Sequence, residues 1–259
     1  MSTLPYTQII VTGCSLSTGM EMNDHLLATF SNEREREARI LTWLKNKKID
    51  FKLNSFEDLK KTAELEWHKK ERDNSWPSLL QSITGIPVIN LARIGSCIGY
   101  SLIEYSNFLK KKPNDRTLVI HQLPEMGRMY IRFDSVHGRV DASPMTLATK
   151  NNFGFNKSYF AKEIKNVHEV YRNRVMSEGY IEKHFLNVLG RLQNLSLKAG
   201  VDNFYIFPSS DIQPEFIQDR VLLKDFKKFR SEYPKGQFGH PVGSAFNKDL
   251  CNKITSTCL

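Results

Sequence analysis

Cysteine is scarce in this chain, with four among 259 residues: Cys14, Cys97, Cys251 and Cys258. None stands in a CxxC or other metal-ligand spacing, and so few in so long a chain do not make a disulfide framework. Long apolar runs are missing as well. No stretch approaches the about 18 residues of a membrane-spanning helix. Met1-Ser2-Thr3-Leu4-Pro5 has no basic n-region and no apolar h-region, so no signal peptide is read. The expected setting is a reducing cytoplasm, or a particle assembled there. There is no internal repeat and no low-complexity tract. No spacing of ligand-type residues calls for a metal or a cofactor.

What is present suffices for a sizeable core. Hydrophobic residues make up 40% and aromatics 11%, which is not the composition of a disordered chain. Lysine and arginine number 37 against 28 acidic residues, a formal net charge of +9. Such an excess suits a polyanionic partner. The basic residues are nevertheless spread along the chain rather than gathered in one arm, which argues against a nucleic-acid-binding role.

Short unbroken apolar runs mark strands. Thr7 to Thr12 is the first, ended by Gly13. Pro87 to Ala92, Thr117 to Leu123 and Asn203 to Phe207 follow, and Asp219 to Leu223 reads as a fifth. Helical spacing appears from Trp76, with Pro77 tolerated in the first turn and Gly85 ending it. It recurs over Ser101 to Leu109, over Lys157 to Lys198 with a break near Gly179 and a cap at Gly200, and over Val242 to Ile254. Residues 129–155 read as irregular. The stretch 23–75 is dense in charge, with apolar positions such as Ile40, Leu44 and Trp67 at helical spacing, and reads as two or three amphipathic helices. Strands alternating with helices imply a parallel sheet covered on both faces. The expected fold is therefore a single domain over 1–259. It is a three-layer α/β/α sandwich, flavodoxin-like, with about five strands and a helical insertion after the first.

In such folds ligands bind at the carboxyl ends of the strands. The loop after the first strand is Gly13-Cys14-Ser15-Leu16-Ser17-Thr18-Gly19. A serine on a tight turn before a helix is a candidate nucleophile, and the free amides of that turn suit an oxyanion. A serine needs a base within hydrogen-bond reach. His240, in Gly239-His240-Pro241 before the last helix, is the candidate, 225 positions away. Gly95, after the second strand, is a second oxyanion N–H donor. Taken singly, Ser15 also reads as a helix N-cap, His240 as a surface-loop histidine and Gly95 as a plain turn glycine. His121, ending the third strand, reads as a buried or rim residue. The first loop also suits a phosphate, including that of a flavin, but it lacks the P-loop lysine, and that reading leaves Gly239-His240-Pro241 unexplained.

The loop GCSLSTG resembles the GDSLSxG block of GDSL-type (SGNH) hydrolases, with Cys14 where aspartate is usual. Asn90-Leu91-Ala92-Arg93-Ile94-Gly95-Ser96 resembles the second block, Leu118 to Leu123 the strand entering the third, and Gly239-His240-Pro241 the last. Trp76-Pro77-Ser78-Leu79-Leu80 is similar to a segment of bacteriophage-encoded SGNH-like proteins. The blocks occur in family order across nearly the whole chain. Two departures stand out. The third block's asparagine is absent, the stretch being Pro124-Glu125-Met126-Gly127-Arg128. The aspartate three residues before the histidine is replaced by Gln237. A glutamine can orient an imidazole but cannot stabilise imidazolium; the corresponding Asp-to-Asn change in a serine protease costs about 10⁴ in kcat. Glu232 and Asp211 are the acidic residues that can substitute. Arg128 and Gln122 are the polar groups expected to replace the missing donor.

The resemblance implies a serine esterase in which Ser15 and His240 act on a carboxylic ester. The Ser15 and Gly95 amides form the oxyanion hole, and Gln237, Arg128 and Gln122 support. No metal or cofactor is required. The implied substrate is an ester-bearing small molecule or an O-acetylated glycan. The alternative is an SGNH-fold protein of little or no activity that binds a partner, through the 23–75 insertion, or serves in a virion.

Overall fold

Among the described residues the main elements run in chain order as β1 (Gln8–Thr12), α1 (Trp76–Thr84), β2 (Val88–Asn90), α2 (Ile98–Leu109), β3 (Thr117–Gln122), β4 (Ile131–Ser135), β5 (Gly138–Ala142), α3 (Glu178–Ala199), β6 (Asp202–Ile206), β7 (Val221–Leu223), α4 (Phe226–Ser231) and α5 (Ala245–Cys258), with a short 3-10 turn over Glu215–Arg220 before β7. This computed structural model describes residues 5–14, 17, 35, 38–40, 42, 66–67, 69–93, 96–111, 116–126, 131–135, 138–142, 178–210, 214–235, 241 and 244–259, with backbone alone over 131–135 and 138–142.

Five strands form one parallel sheet in the order β2-β1-β3-β6-β7. This is the expected flavodoxin-like arrangement, a three-layer α/β/α sandwich. Successive side chains of each strand face opposite layers. Ile9 and Val11 of β1, Leu118 and Ile120 of β3 and Ile206 of β6 pack with Trp76 and Leu80 of α1 and Phe246, Leu250 and Ile254 of α5. Ile10, Val119 and Tyr205 face the other way, toward Ile98 and Tyr105 of α2 and Phe185, Leu189 and Leu192 of α3. Each such side chain, fully buried, contributes about 1.5–3 kcal/mol. Burial on both faces is why these strands are continuous apolar runs rather than alternating ones.

Element ends follow local chemistry. Gly85 closes α1 at φ 70 and Gly200 follows α3 at φ 65, left-handed conformations that favour glycine. The Cys97 side chain caps α2 by accepting from the Tyr100 amide. Ser244 stands at the start of α5.

The segment 131–142 differs from its irregular reading: β4 and β5 form an antiparallel hairpin outside the main sheet. Its register pairs Ile131 with Ala142 and Phe133 with Val140, and sets Arg132 opposite Asp141 and Asp134 opposite Arg139. Cross-strand apolar and opposite-charge pairs both stabilise such a ladder. The interleaved charges hide the period-2 pattern from a search for apolar runs. Most of 23–75, and the helical reading of 157–177, lie outside the described residues. Within 23–75, Trp67 is buried and donates through Nε1 to Glu71 Oε1 at 3.1 Å, and Ile40 is buried.

Phe246 is fully buried among Phe226, Phe229 and Tyr233. Truncation by Phe246→Ala is expected to cost about 3–5 kcal/mol. Ile83→Ala, on the half-exposed side of α1, is expected to change stability by no more than about 0.5 kcal/mol. Urea denaturation of the two variants against wild type checks both.

Candidate functional site

The loop after β1 is anchored by the strands on either side. Gly13 and Cys14 leave β1 at its carboxyl end. Ser17, buried, is already helical, and its amide donates to the Cys14 carbonyl at 3.1 Å. From β3, the Gln122 carboxamide meets this loop with both of its ends. Its Oε1 accepts from Ser17 Oγ, and its Nε2 donates to Cys14 Sγ at 3.2 Å. From β2, Asn90 Nδ2 donates to the Ser17 carbonyl at 2.7 Å. Gly13 has no room for a side chain: a Cβ there would lie 2.6 Å from Ser17 Oγ and 3.0 Å from Gln122 Oε1. Ser15 falls between Cys14 and Ser17 in sequence and lies outside the described residues.

The second loop is tied to the first. Asn90 Oδ1 accepts from the Ala92 amide at 3.0 Å, so one carboxamide holds both loops. The Leu91 amide donates to the Val11 carbonyl and the Arg93 amide to the Gly13 carbonyl. The Arg93 guanidinium lies over the Tyr100 ring and 3.5 Å from Glu104. Gly95 lies outside the described residues. After β3, Leu123 donates to the Ile206 carbonyl, and Met126, where the resembling family has its asparagine region, packs half-buried against the α2–α3 layer. Arg128 lies outside the described residues.

The C-terminal segment approaches the same edge. Because β2 runs parallel to β1, α1 must carry the chain back from the carboxyl edge, which puts Asn74 and Trp76 there. Asn247, in the first turn of α5, donates to the Asn74 carbonyl at 2.5 Å. Lys235 and Pro241 pair in an isolated antiparallel bridge. Tyr233 is held against Phe246 and donates to Asp249 Oδ2 at 2.6 Å. Gln237 and His240 fall between these anchored points in sequence and lie outside the described residues, as does Asp211. Glu232 is exposed at the end of α4.

His121 occupies the opposite face of β3. It is fully buried, its Nδ1 is 2.9 Å from Thr12 Oγ1, and its ring lies between Tyr105 (5.0 Å, edge-on) and Tyr205 (5.2 Å, stacked). Those tyrosines are themselves bonded, Tyr105 to Ser196 and Tyr205 to Gln193, with Asn203 and Arg220 continuing the network outward. Burial pushes the His121 pKa down to about 3 and the Tyr105 hydroxyl up to about 12. His121 is therefore neutral at physiological pH, a structural histidine. Thr12, Ser17 and Asn90 escaped the sequence reading. The signal for Thr12 and Asn90 was present, polar residues at the carboxyl ends of otherwise apolar strands, while Ser17 stood in the first loop itself.

Among the described residues no cluster of histidine, cysteine, aspartate or glutamate has the makings of a metal site, and no helix is long and apolar enough to cross a membrane.

Two outcomes follow from this geometry. His121 stays neutral when folded but takes up a proton near pH 6.5 when unfolded. Stability is thus full above that pH and falls as pH drops toward 3, by at most about 1.4 kcal/mol per unit from this residue. Chemical denaturation between pH 5 and 7 is expected to show a shallower slope for His121→Phe than for wild type; equal slopes would contradict the assignment. In Gly13→Ala the new methyl displaces the Ser17 hydroxyl from Gln122. A loss of about 1–3 kcal/mol is expected by the same denaturation.

No protein-family model and no curated protein matches this sequence. Among solved structures the fold is similar to the crystal structure of TesA, at 10% identity, covering 96% of this chain and 97% of that one with a TM-score of 0.45.

Proposed function

We propose that the protein is a serine hydrolase of SGNH type that cleaves a carboxylic ester. One observation carries the reading. The sheet order puts the topological switch point between β1 and β3, where connections leave in opposite directions and ligands of such folds bind. The loop bearing Ser15 is tied to both strands flanking β1 at that point. The tethering of α5's first turn to Asn74 supports bringing His240 to the same edge.

In the proposed reaction Ser15 Oγ attacks the acyl carbonyl while His240 takes its proton. The tetrahedral oxyanion is held by the amides of Ser15 and Gly95. The intermediate collapses to an acyl-serine, and His240 returns the proton to the leaving alcohol. Water, deprotonated by His240, then releases the acid and restores Ser15. Gln237 orients the imidazole by accepting its second N–H. Arg128 is the donor for an anionic or carbonyl-bearing substrate. The substrate class is an ester-bearing small molecule, including an O-acetyl group on a glycan. Neither metal nor cofactor takes part.

A second reading has an observation of its own. The Gln122 carboxamide, expected as a replacement oxyanion donor, spends both ends on the first loop. With the family's asparagine absent, this favours a protein of low activity that serves by binding, through the 23–75 segment or as a virion component.

Fluorophosphonate labelling separates the two. Stoichiometric labelling at Ser15 is expected in wild type and none in Ser15→Ala. In His240→Ala labelling is expected to slow by about 10³-fold or more. Absence of labelling in folded wild type would sink the hydrolase and leave the binding protein.

A further inference from the structure

We infer that Gln122 is a positioning residue for Ser15, acting across the β1–β3 boundary. The inference rests on the reading of Ser15 as the nucleophile. Gln122 ends β3, is buried (1% exposed) and is held at both ends of its carboxamide. Its two partners, Cys14 and Ser17, bracket Ser15 in sequence, and the Ser17 amide closes the turn onto the Cys14 carbonyl. The described ends of this turn, Cys14 and Ser17, are therefore both held by one side chain of β3. A nucleophile gains rate in proportion as its orientation is settled before substrate arrives.

The two bonds differ in kind. The Ser17 hydroxyl donates to Oε1 inside a water-poor site, where a hydrogen bond is electrostatically strong. The bond from Nε2 to Cys14 Sγ exists because this chain carries a thiol at that position, a soft and weak acceptor. The carboxamide matches this pair of neighbours because it offers one acceptor and one donor at the same time. Glutamate at 122 would keep the acceptor for Ser17 and lose the donor to Cys14. Alanine would lose both. In either variant Asn90 still holds the Ser17 carbonyl from β2, so the loop keeps one of its anchors and the fold keeps its sheet.

The test uses Gln122→Ala and Gln122→Glu in the full chain, each shown to be folded by its melting transition. With a fluorophosphonate probe, the maximal rate of labelling at Ser15 is expected to fall by about 10²-fold in Gln122→Ala. It is expected to fall less in Gln122→Glu. The concentration giving half-maximal rate is expected to be unchanged in both, a split that general loss of stability does not produce. Wild-type rates in both folded variants would overturn the inference. Amide hydrogen exchange at Ser17 gives a second readout that needs no reaction: about 10-fold faster exchange is expected in Gln122→Ala, and unchanged exchange would overturn the inference. If wild type itself is not labelled, the nucleophile reading fails and exchange alone decides whether Gln122 holds the loop. If Gln122→Ala does not fold, Gln122→Glu decides.

Discussion

The register of β1 on β3 governs this structure. Both strands are buried on both faces, and a continuous apolar strand specifies its register only weakly, because a slip exchanges one apolar face for another. Here Thr12 is paired with His121. That pairing brings Thr12 Oγ1 to the His121 ring on the α2–α3 side and sets the first loop against Gln122 on the α1–α5 side. A one-residue slip would strand both polar side chains in the core. Each such orphan costs about 1–3 kcal/mol. The polar pairs thus select one register from several that the apolar residues alone would accept.

The same pairs reach the loops. β1 has β2 on one side and β3 on the other, and each neighbour sends one carboxamide to the segment that follows β1. Asn90 also accepts from the Ala92 amide, so one carboxamide ties the first two loops together. In the proposed reaction, the precision asked of Ser15 comes from the sheet rather than from the loop. A rigid parallel sheet buried between helices is a suitable source of it.

Much of the fold was legible because its signals are local. Apolar runs of strand length, Gly85 and Gly200 at helix ends, and Pro77 in a first turn all act over a few residues. The first loop was legible for the same reason. The partners of Ser17, Cys14 and Thr12 lie more than a hundred positions away, and no local pattern announces them. Gln122 shows the consequence: its type and its edge position were readable, while the use of both its amide ends by the first loop required the folded sheet. The β4–β5 hairpin was missed for another reason. Arg132, Asp134, Arg139 and Asp141 alternate with its apolar positions, and the register that sets them opposite one another belongs to the ladder rather than to the chain. Of the site residues read from sequence, Gln122 lies among the described residues, whereas Ser15, Gly95, Arg128, Gln237 and His240 lie outside them.

The most direct measurement of the central claim is a crystal structure of the protein after reaction with a fluorophosphonate. The expected result is a phosphonyl group on Ser15 Oγ, with its oxygen facing the amides of Ser15 and Gly95. His240 is expected within hydrogen-bond reach, and the Gln122 carboxamide still joined to Ser17 and Cys14. An unmodified Ser15, or an adduct with His240 on a different edge of the sheet, would contradict it.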